Sequence, residues 1–199
     1  MWESHRTVTA GKVLLACIGL LVLSSTSIHA FDGKRKGFVV GGGVGIAANS
    51  HWEIDNSAVS EDKAGLGLNL VIGYAWDEAN MIVYEGNVTA YSSDVASAVG
   101  RFAGLGDQTI TQGFNGVGWY HYYGSAGKSL FTTVGLGVYV FDVQDFDAND
   151  PGFGVLLGVG YEIARHWQFG AYLGGGQTTS GGVDFKQSHI NVNVNVIAF

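Results

Sequence analysis

The stretch His189-Ile190-Asn191-Val192-Asn193-Val194-Asn195-Val196-Ile197-Ala198-Phe199 decides the fold, because apolar and polar side chains alternate along most of it. Successive side chains of a β-strand point to opposite faces, so this alternation predicts a strand with one apolar and one polar face. The same period of two recurs along the chain, often with glycine opposite the large apolar residues. The sequence therefore predicts an all-β protein whose strands separate two different environments.

Eight segments show this pattern, at 37–47, 64–76, 80–91, 108–123, 128–141, 152–163, 167–176 and 188–199. A length of about ten residues is what a tilted membrane-crossing strand requires. In the second segment, one face carries Leu66, Leu68, Leu70 and Ile72, while the other carries Gly65, Gly67, Asn69 and Gly73. A glycine-lined face is a poor solvent surface and a poor sandwich core, but it suits the crowded interior of a narrow closed barrel.

The connections between these segments alternate in length. Long connections at 48–63, 92–107, 142–151 and 177–187 are separated by short ones at 77–79, 124–127 and 164–166. Long loops on one side and short turns on the other are typical of outer-membrane barrels. We therefore predict an eight-stranded antiparallel up-and-down transmembrane β-barrel, with its turns and both termini in the periplasm.

The first thirty residues have the features of a secretory signal peptide. Arg6 and Lys12 precede an apolar run at 13–23, which is too short to span a bilayer as a helix. Cleavage after Ala30 would leave residues 31–199 as the barrel domain. No apolar run long enough for a membrane-spanning helix follows, which excludes a helical membrane protein.

Composition excludes several classes of function. The net charge of −7 makes a nucleic-acid partner unexpected. The single cysteine, Cys17, lies within the predicted signal peptide, so the exported chain has no disulfides, thiol catalysis or cysteine-based metal site. Abundant aromatic and β-branched residues argue against disorder.

Taken together, the chain resembles the small eight-stranded outer-membrane barrel proteins of the OmpA/OmpX type. The segment Lys34-Arg35-Lys36-Gly37-Phe38 before a glycine-rich first strand also resembles the group called outer membrane protein β-barrel. The resemblance implies a place in the outer membrane of a Gram-negative bacterium. It implies contact with outer-membrane lipid and lipopolysaccharide, and with the barrel-assembly machinery that reads a terminal aromatic residue such as Phe199.

Two sets of residues are candidates for functional sites. We place a polar network inside the lumen, consisting of Glu85, Glu162, Asn69, Asn87, Asn115 and His121. It either fills a closed barrel with hydrogen bonds or forms a path for protons or cations. Aromatic residues at the turn-side ends of the strands predict a girdle at the membrane interface, formed by Phe38, Tyr74, Trp76, Tyr122, Tyr161, Trp167 and Phe199.

Phe199 departs from the usual terminal pattern. It is in phase with Ile197, whereas Val192, Val194 and Val196 lie on the other phase. The sequence therefore predicts either a bulge near residues 196 and 197 or a terminal residue that has left the sheet face.

These features favour a structural or surface-interaction role carried by the extracellular loops. A narrow channel for small or apolar solutes is the first alternative, and a lipid-modifying enzyme is the second. The His-x-Ser-Asn run of small-barrel lipid A deacylases is missing after His51, His121, His166 and His189. We therefore expect no catalytic residues, no metal and no cofactor.

Overall fold

The part of the chain that the structure describes forms eight antiparallel strands. The computed structural model describes residues 34–54, 60–93, 108–143, 150–180 and 183–199. The strands are β1 (Gly37–Ile54), β2 (Ser60–Ala75), β3 (Asn80–Ser93), β4 (Gln108–Tyr122), β5 (Ser129–Val143), β6 (Gly152–Ala164), β7 (Trp167–Ser180) and β8 (Val183–Ala198). Each pairs with the next and β8 pairs with β1, so the sheet closes into an up-and-down barrel. The predicted fold class is confirmed.

The two ends of the barrel differ in their connections. Residues 76–79, 123–128 and 165–166 join the strands at one end, which we call the turn side. Residues 55–59, 94–107, 144–151 and 181–182 join them at the other end, the loop side. The predicted signal peptide, residues 1–30, lies outside the described residues. The part of the chain that is described contains no helix long and apolar enough to cross a membrane.

Four strands, β1, β2, β7 and β8, extend at least four residues further toward the loop side than the sequence predicts. The connections predicted at 48–63 and 177–187 are largely strand, and only 55–59 and 181–182 remain between the strands. On the outer face of these extensions the paired residues are polar, as in His51 opposite Asp62 and Glu53 opposite Lys186. Backbone pairing continues where the outward apolar face has ended, so alternation of hydropathy no longer marks the strand.

The outer face of the barrel is apolar and exposed, whereas the inner face is tightly filled. Leu66, Leu68, Leu70 and Ile72 of β2 point outward and are 40–53% exposed. The inner face carries glycine at close approaches, because a Cβ at Gly43 or Gly45 would overlap the amide oxygen of Asn195 or Asn193 on β8. An exposed apolar exterior with a tightly filled interior is the arrangement of a barrel that faces lipid.

The last strand contains no bulge near its end. Gly42 pairs with Val196 and Gly41 with Ile197 in unbroken register, so the predicted bulge at 196–197 is wrong. The register shift instead lies in β1, between Ala47 and Ser50 against β2. The shift returns Ser50 and Trp52 to the inner face, where both are buried.

Candidate functional site

The lumen holds a dense set of buried polar side chains. Glu85, Glu162, Asn69 and Asn87 of the predicted network all point inward and are at most 7% exposed. The asparagines of β8 join them, since Asn191, Asn193 and Asn195 are also buried. Sequence alternation thus placed most of the inward polar residues on the correct face.

Asn115 and His121 lie on the outer face of β4, so their prediction as lumen residues is wrong. Asn115 Oδ1 accepts a hydrogen bond from the exposed Tyr84 hydroxyl at 3.1 Å. His121 lies beside the outward-facing Trp119, with ring centroids 6.1 Å apart. Both faces of β4 carry aromatic residues, with Phe114 and Tyr120 inside, and this removes the contrast that would have fixed the phase.

Arg35 closes the turn-side end of the lumen, although it lies before the first strand. Its Nε donates to Glu162 Oε2 at 3.2 Å, and both side chains are buried. The guanidinium also donates to the backbone carbonyls of Glu78 and of Gly124, the latter at 2.6 Å. Its carbon lies 3.9 Å from the centre of the Tyr122 ring. One side chain therefore ties two turns to β4 and β6 across the barrel mouth.

The sequence alone gave no sign of this closure. Arg35 stands in a run of basic residues that resembles a solvated or lipid-contacting tail. Its burial depends on Glu162, which is distant in sequence and becomes its neighbour only when the barrel closes. Glu162 therefore has a cationic partner, as a buried carboxylate requires.

A second part of the network surrounds Glu85 near the middle of the lumen. Glu85 Oε1 accepts a hydrogen bond from the Tyr120 hydroxyl at 2.8 Å. The Tyr120 ring packs on Phe131, with centroids 5.6 Å apart. Asn69 Oδ1 and Thr133 Oγ1 have no hydrogen-bond partner within the described protein. Internal water ordinarily satisfies such buried oxygens, so this part of the lumen is polar.

A third part of the network is centred on His189, which the sequence did not single out. His189 Nε2 lies 2.9 Å from Asn87 Oδ1, and Asn191 Nδ2 donates to the same oxygen at 2.7 Å. An amide oxygen only accepts, so His189 Nε2 carries the proton and Nδ1 accepts from the Tyr139 hydroxyl at 2.7 Å. These bonds join β3, β5 and β8 across the interior.

Apolar side chains seal the loop-side end of the lumen. Trp52, Tyr91, Ile110 and Phe141 form a buried cluster, against which Phe185 packs. The Trp52 and Phe141 rings lie 6.2 Å apart, and Phe141 and Phe185 stack at 5.9 Å. Trp52 Nε1 donates to Glu61 Oε2 at 3.2 Å. The lumen is therefore closed at both ends, by different chemistry at each.

The predicted girdle divides between the two faces of the barrel. Phe38, Tyr74, Trp76, Tyr161 and Trp167 point outward at the turn side and are 42–63% exposed. Tyr122 and Phe199 point inward and are buried, so their placement in the girdle is wrong. Tyr122 packs under Arg35, and the Phe199 ring lies 4.9 Å from His166. The exposed ring at this end of β4 is Tyr123.

No group of three or more potential metal ligands occurs among residues 34–54, 60–93, 108–143, 150–180 and 183–199. The lumen residues can accept and donate hydrogen bonds, and they can hold water between the two closures. That arrangement serves packing and rigidity directly.

The comparison with protein families agrees with this architecture. The family model described as outer membrane protein beta-barrel domain matches residues 18–197, which include every strand except the last residue of β8. A comparison with curated protein sequences finds no match.

Several solved structures are similar to this chain. Ail, the attachment invasion locus protein of Yersinia pestis, is 13% identical with a TM-score of 0.48, over 80% of this chain and 99% of that one. Neisserial surface protein A is 14% identical with a TM-score of 0.47, over 80% of this chain and 96% of that one. OprG from Pseudomonas aeruginosa is 12% identical with a TM-score of 0.47, over 83% of this chain and 98% of that one.

Proposed function

Because the chain belongs to the outer membrane protein beta-barrel domain family, we propose that it is a non-conducting barrel that acts through its loop-side surface. The observation that carries this proposal is the double closure of the lumen. Arg35 with Glu162 occupies the turn side, and Trp52 with Phe141 occupies the loop side. A barrel of eight strands has room for little beyond its own side chains. In the proposed orientation, the turns face the periplasm.

The loop-side extensions supply the surface for this role. They carry Glu53, Glu61, Asp62 and Asp184, and two further acidic residues lie at the same end of the barrel, Asp142 near the end of β5 and Asp150 before β6. Lys63 and Lys186 are the basic residues in the same extensions. Divalent cations bind carboxylate and phosphate oxygens together, so an acidic rim can associate with anionic lipopolysaccharide through them. Lipopolysaccharide is the partner we assign to this surface.

A narrow channel is the second candidate function, favoured by the polar lumen. Buried oxygens such as Asn69 Oδ1 and Thr133 Oγ1, without protein partners, are places where water would sit between the closures. A path for small solutes would then require both closures to open.

Planar-bilayer recording separates these two functions. We expect the purified barrel to give no single-channel steps in symmetrical potassium chloride. In a matched sedimentation assay, we expect it to bind lipopolysaccharide in magnesium and to lose most of that binding in EDTA. Asp62→Asn should weaken magnesium-dependent binding, whereas Asp77→Asn at the turn side should not. Regular conductance steps from the wild-type protein, or binding unaffected by EDTA, would contradict the proposal.

A further inference from the structure

A groove opens on the outer wall of the barrel, at the turn-side ends of β3, β4 and β5. It has a volume of about 310 Å³, and its lining consists of Asn80, Trp119, His121, Tyr123, Thr132 and Val134. His121 is directly opposite Asn80 on β3 and Thr132 on β5, so the polar groups lie at one level on three adjacent strands. Trp119 and Tyr123 flank the histidine on the same outward face.

A chain of hydrogen bonds fixes the orientation of the His121 ring. Asn80 Nδ2 donates to both carboxylate oxygens of Asp77, at 3.0 Å each, which leaves Asn80 Oδ1 as an acceptor. That oxygen lies 2.9 Å from His121 Nδ1. His121 Nδ1 must therefore carry the proton, so the neutral ring presents the lone pair of Nε2. Among the described residues, Nε2 has no hydrogen-bond partner.

The charge behind the groove is negative. Hydrogen bonds from the Asn80 side chain and from the backbone amides of Ala79 and Asn80 hold the pKa of Asp77 below its usual range. Because its pKa is lowered, Asp77, which lies in a turn outside the strands, is ionised at neutral pH. None of the lining residues is lysine or arginine. The groove thus combines an acceptor nitrogen with a nearby carboxylate, which favours a cationic group over an anionic one.

Aromatic rings add to this preference. The Tyr123 ring meets His121 edge-on, with centroids 4.7 Å apart at 84°, and Trp119 lies on the other side of the histidine. The faces of tryptophan and tyrosine attract ammonium groups. Tyr123 Oη and Thr132 Oγ1 lie 3.2 Å apart at the groove wall, and Val134 supplies an apolar surface beside them.

The position of the groove indicates which kind of cationic molecule it binds. It lies on the lipid-facing wall, at the end of the barrel where Trp76 and Trp167 are exposed. Aromatic residues of this kind mark the headgroup level of a membrane. We propose that the groove binds one phosphatidylethanolamine molecule of the turn-side leaflet, with its primary ammonium group donating to His121 Nε2 between Trp119 and Tyr123. Its acyl chain would then run along Val134.

This inference rests on the proposed membrane placement but not on the loop-side function. A symmetrical bilayer presents the same lipid to both ends of the barrel, so the test does not depend on orientation. Neither the conductance nor the lipopolysaccharide measurement bears on it.

Native mass spectrometry of the full chain tests the proposal. The refolded barrel is placed in nanodiscs with equal amounts of phosphatidylethanolamine, phosphatidylglycerol and phosphatidylcholine, and retained lipids are counted after release into detergent. We expect one phosphatidylethanolamine per barrel, retained about tenfold over phosphatidylglycerol, as several cation–π and hydrogen-bond contacts would give. Phosphatidylcholine should be retained less than phosphatidylethanolamine, because its quaternary ammonium has no proton to donate.

Variants at the groove and at a matched site complete the test. Trp119→Leu with His121→Phe should abolish the selectivity, and Asp77→Asn, which keeps the shape of the turn, should weaken it. Trp167→Leu removes an exposed aromatic residue at the same end of the barrel and should retain the selectivity. A heat-dependent shift in gel mobility establishes that each variant is folded. Equal retention of the three lipids, a preference for phosphatidylglycerol, or equal loss in Trp167→Leu would overturn the proposal.

Discussion

The two ends of the lumen are both closed, but they are closed in different ways. At the turn side, a charged residue from outside the sheet bonds to Glu162 and to two turn carbonyls. At the loop side, the residues are rings and an aliphatic side chain supplied by the strands themselves. The polar closure depends on directional bonds to named partners, whereas the apolar closure depends on volume and shape.

This difference determines how each end should respond to substitution. Removal of one member of a buried ion pair leaves the other charge unpaired, and a second substitution can correct that loss. Removal of a ring leaves a cavity that no charge change can fill. The following substitutions test whether the two closures really follow these different rules.

The largest effect is expected at the turn side, for Arg35→Met. Glu162 is fully buried, and without its partner the barrel should lose roughly 3–5 kcal/mol of unfolding free energy. Urea unfolding in detergent micelles, followed by the heat-dependent gel shift, measures the change. Arg35→Met combined with Glu162→Gln should recover most of the loss. Failure of the double variant to recover would show that the bonds to the two turn carbonyls and the stacking on Tyr122, rather than the charge pair, stabilise this end.

The next effect is expected at the loop side, for Trp52→Ala. Loss of the indole from the cluster with Phe141 should cost about 3 kcal/mol, as for other large-to-small core substitutions. Trp52→Phe keeps most of the volume and loses the bond to Glu61, at a cost of about 1 kcal/mol. The same urea titration compares the two. Equal losses in the two variants would mean that the hydrogen bond, and not packing, closes this end.

The smallest effect is expected for His166→Gly in the last turn. His166 has a φ of 72°, a left-handed conformation that costs a non-glycine residue roughly 1–2 kcal/mol. Glycine removes that strain but also removes the bond between His166 Nδ1 and the Ile197 carbonyl, at 2.8 Å, and the contact with Phe199. These effects oppose each other, so stability should change by less than about 1 kcal/mol. A larger loss would show that the bond to the Ile197 carbonyl and the contact with Phe199 together stabilise this turn by more than the strain costs.

The sequence predicted the barrel because its lipid-facing residues follow a simple rule. On β2, every second residue from Leu66 to Tyr74 is large and apolar, and all of them face outward. The inward placement of Glu85 and Glu162 followed from the same alternation. Membrane thickness and strand geometry fix these patterns locally, so a single chain carries enough information to find them.

The errors lie where local alternation carries no contrast or where a partner is distant. On β4, Trp119 outside and Tyr120 inside are both large aromatic residues, so hydropathy does not distinguish the two faces. The prediction therefore assigned His121 to the inner face and Tyr122 to the outer face, the reverse of their positions in the structure. Phe199 follows Ile197 to the inner face because the register of β8 is unbroken there. The role of Arg35 could not be predicted, because its partners Glu162, Glu78 and Gly124 are distant in sequence and contact it only in the closed barrel.

The pairing of β1 with β8 has a consequence for how the protein folds. It joins residues from opposite ends of the barrel domain, such as Val40 with Ala198 and Ile54 with Phe185. Contacts between such distant residues raise the contact order, which slows folding and exposes both strands as unpaired edges meanwhile. Arg35 adjoins β1 and bonds to Glu162 on β6, so its bonds form only as the ring of strands nears completion. The seam between the first and last strands is therefore the step at which a folding chain is most open to association with a neighbour.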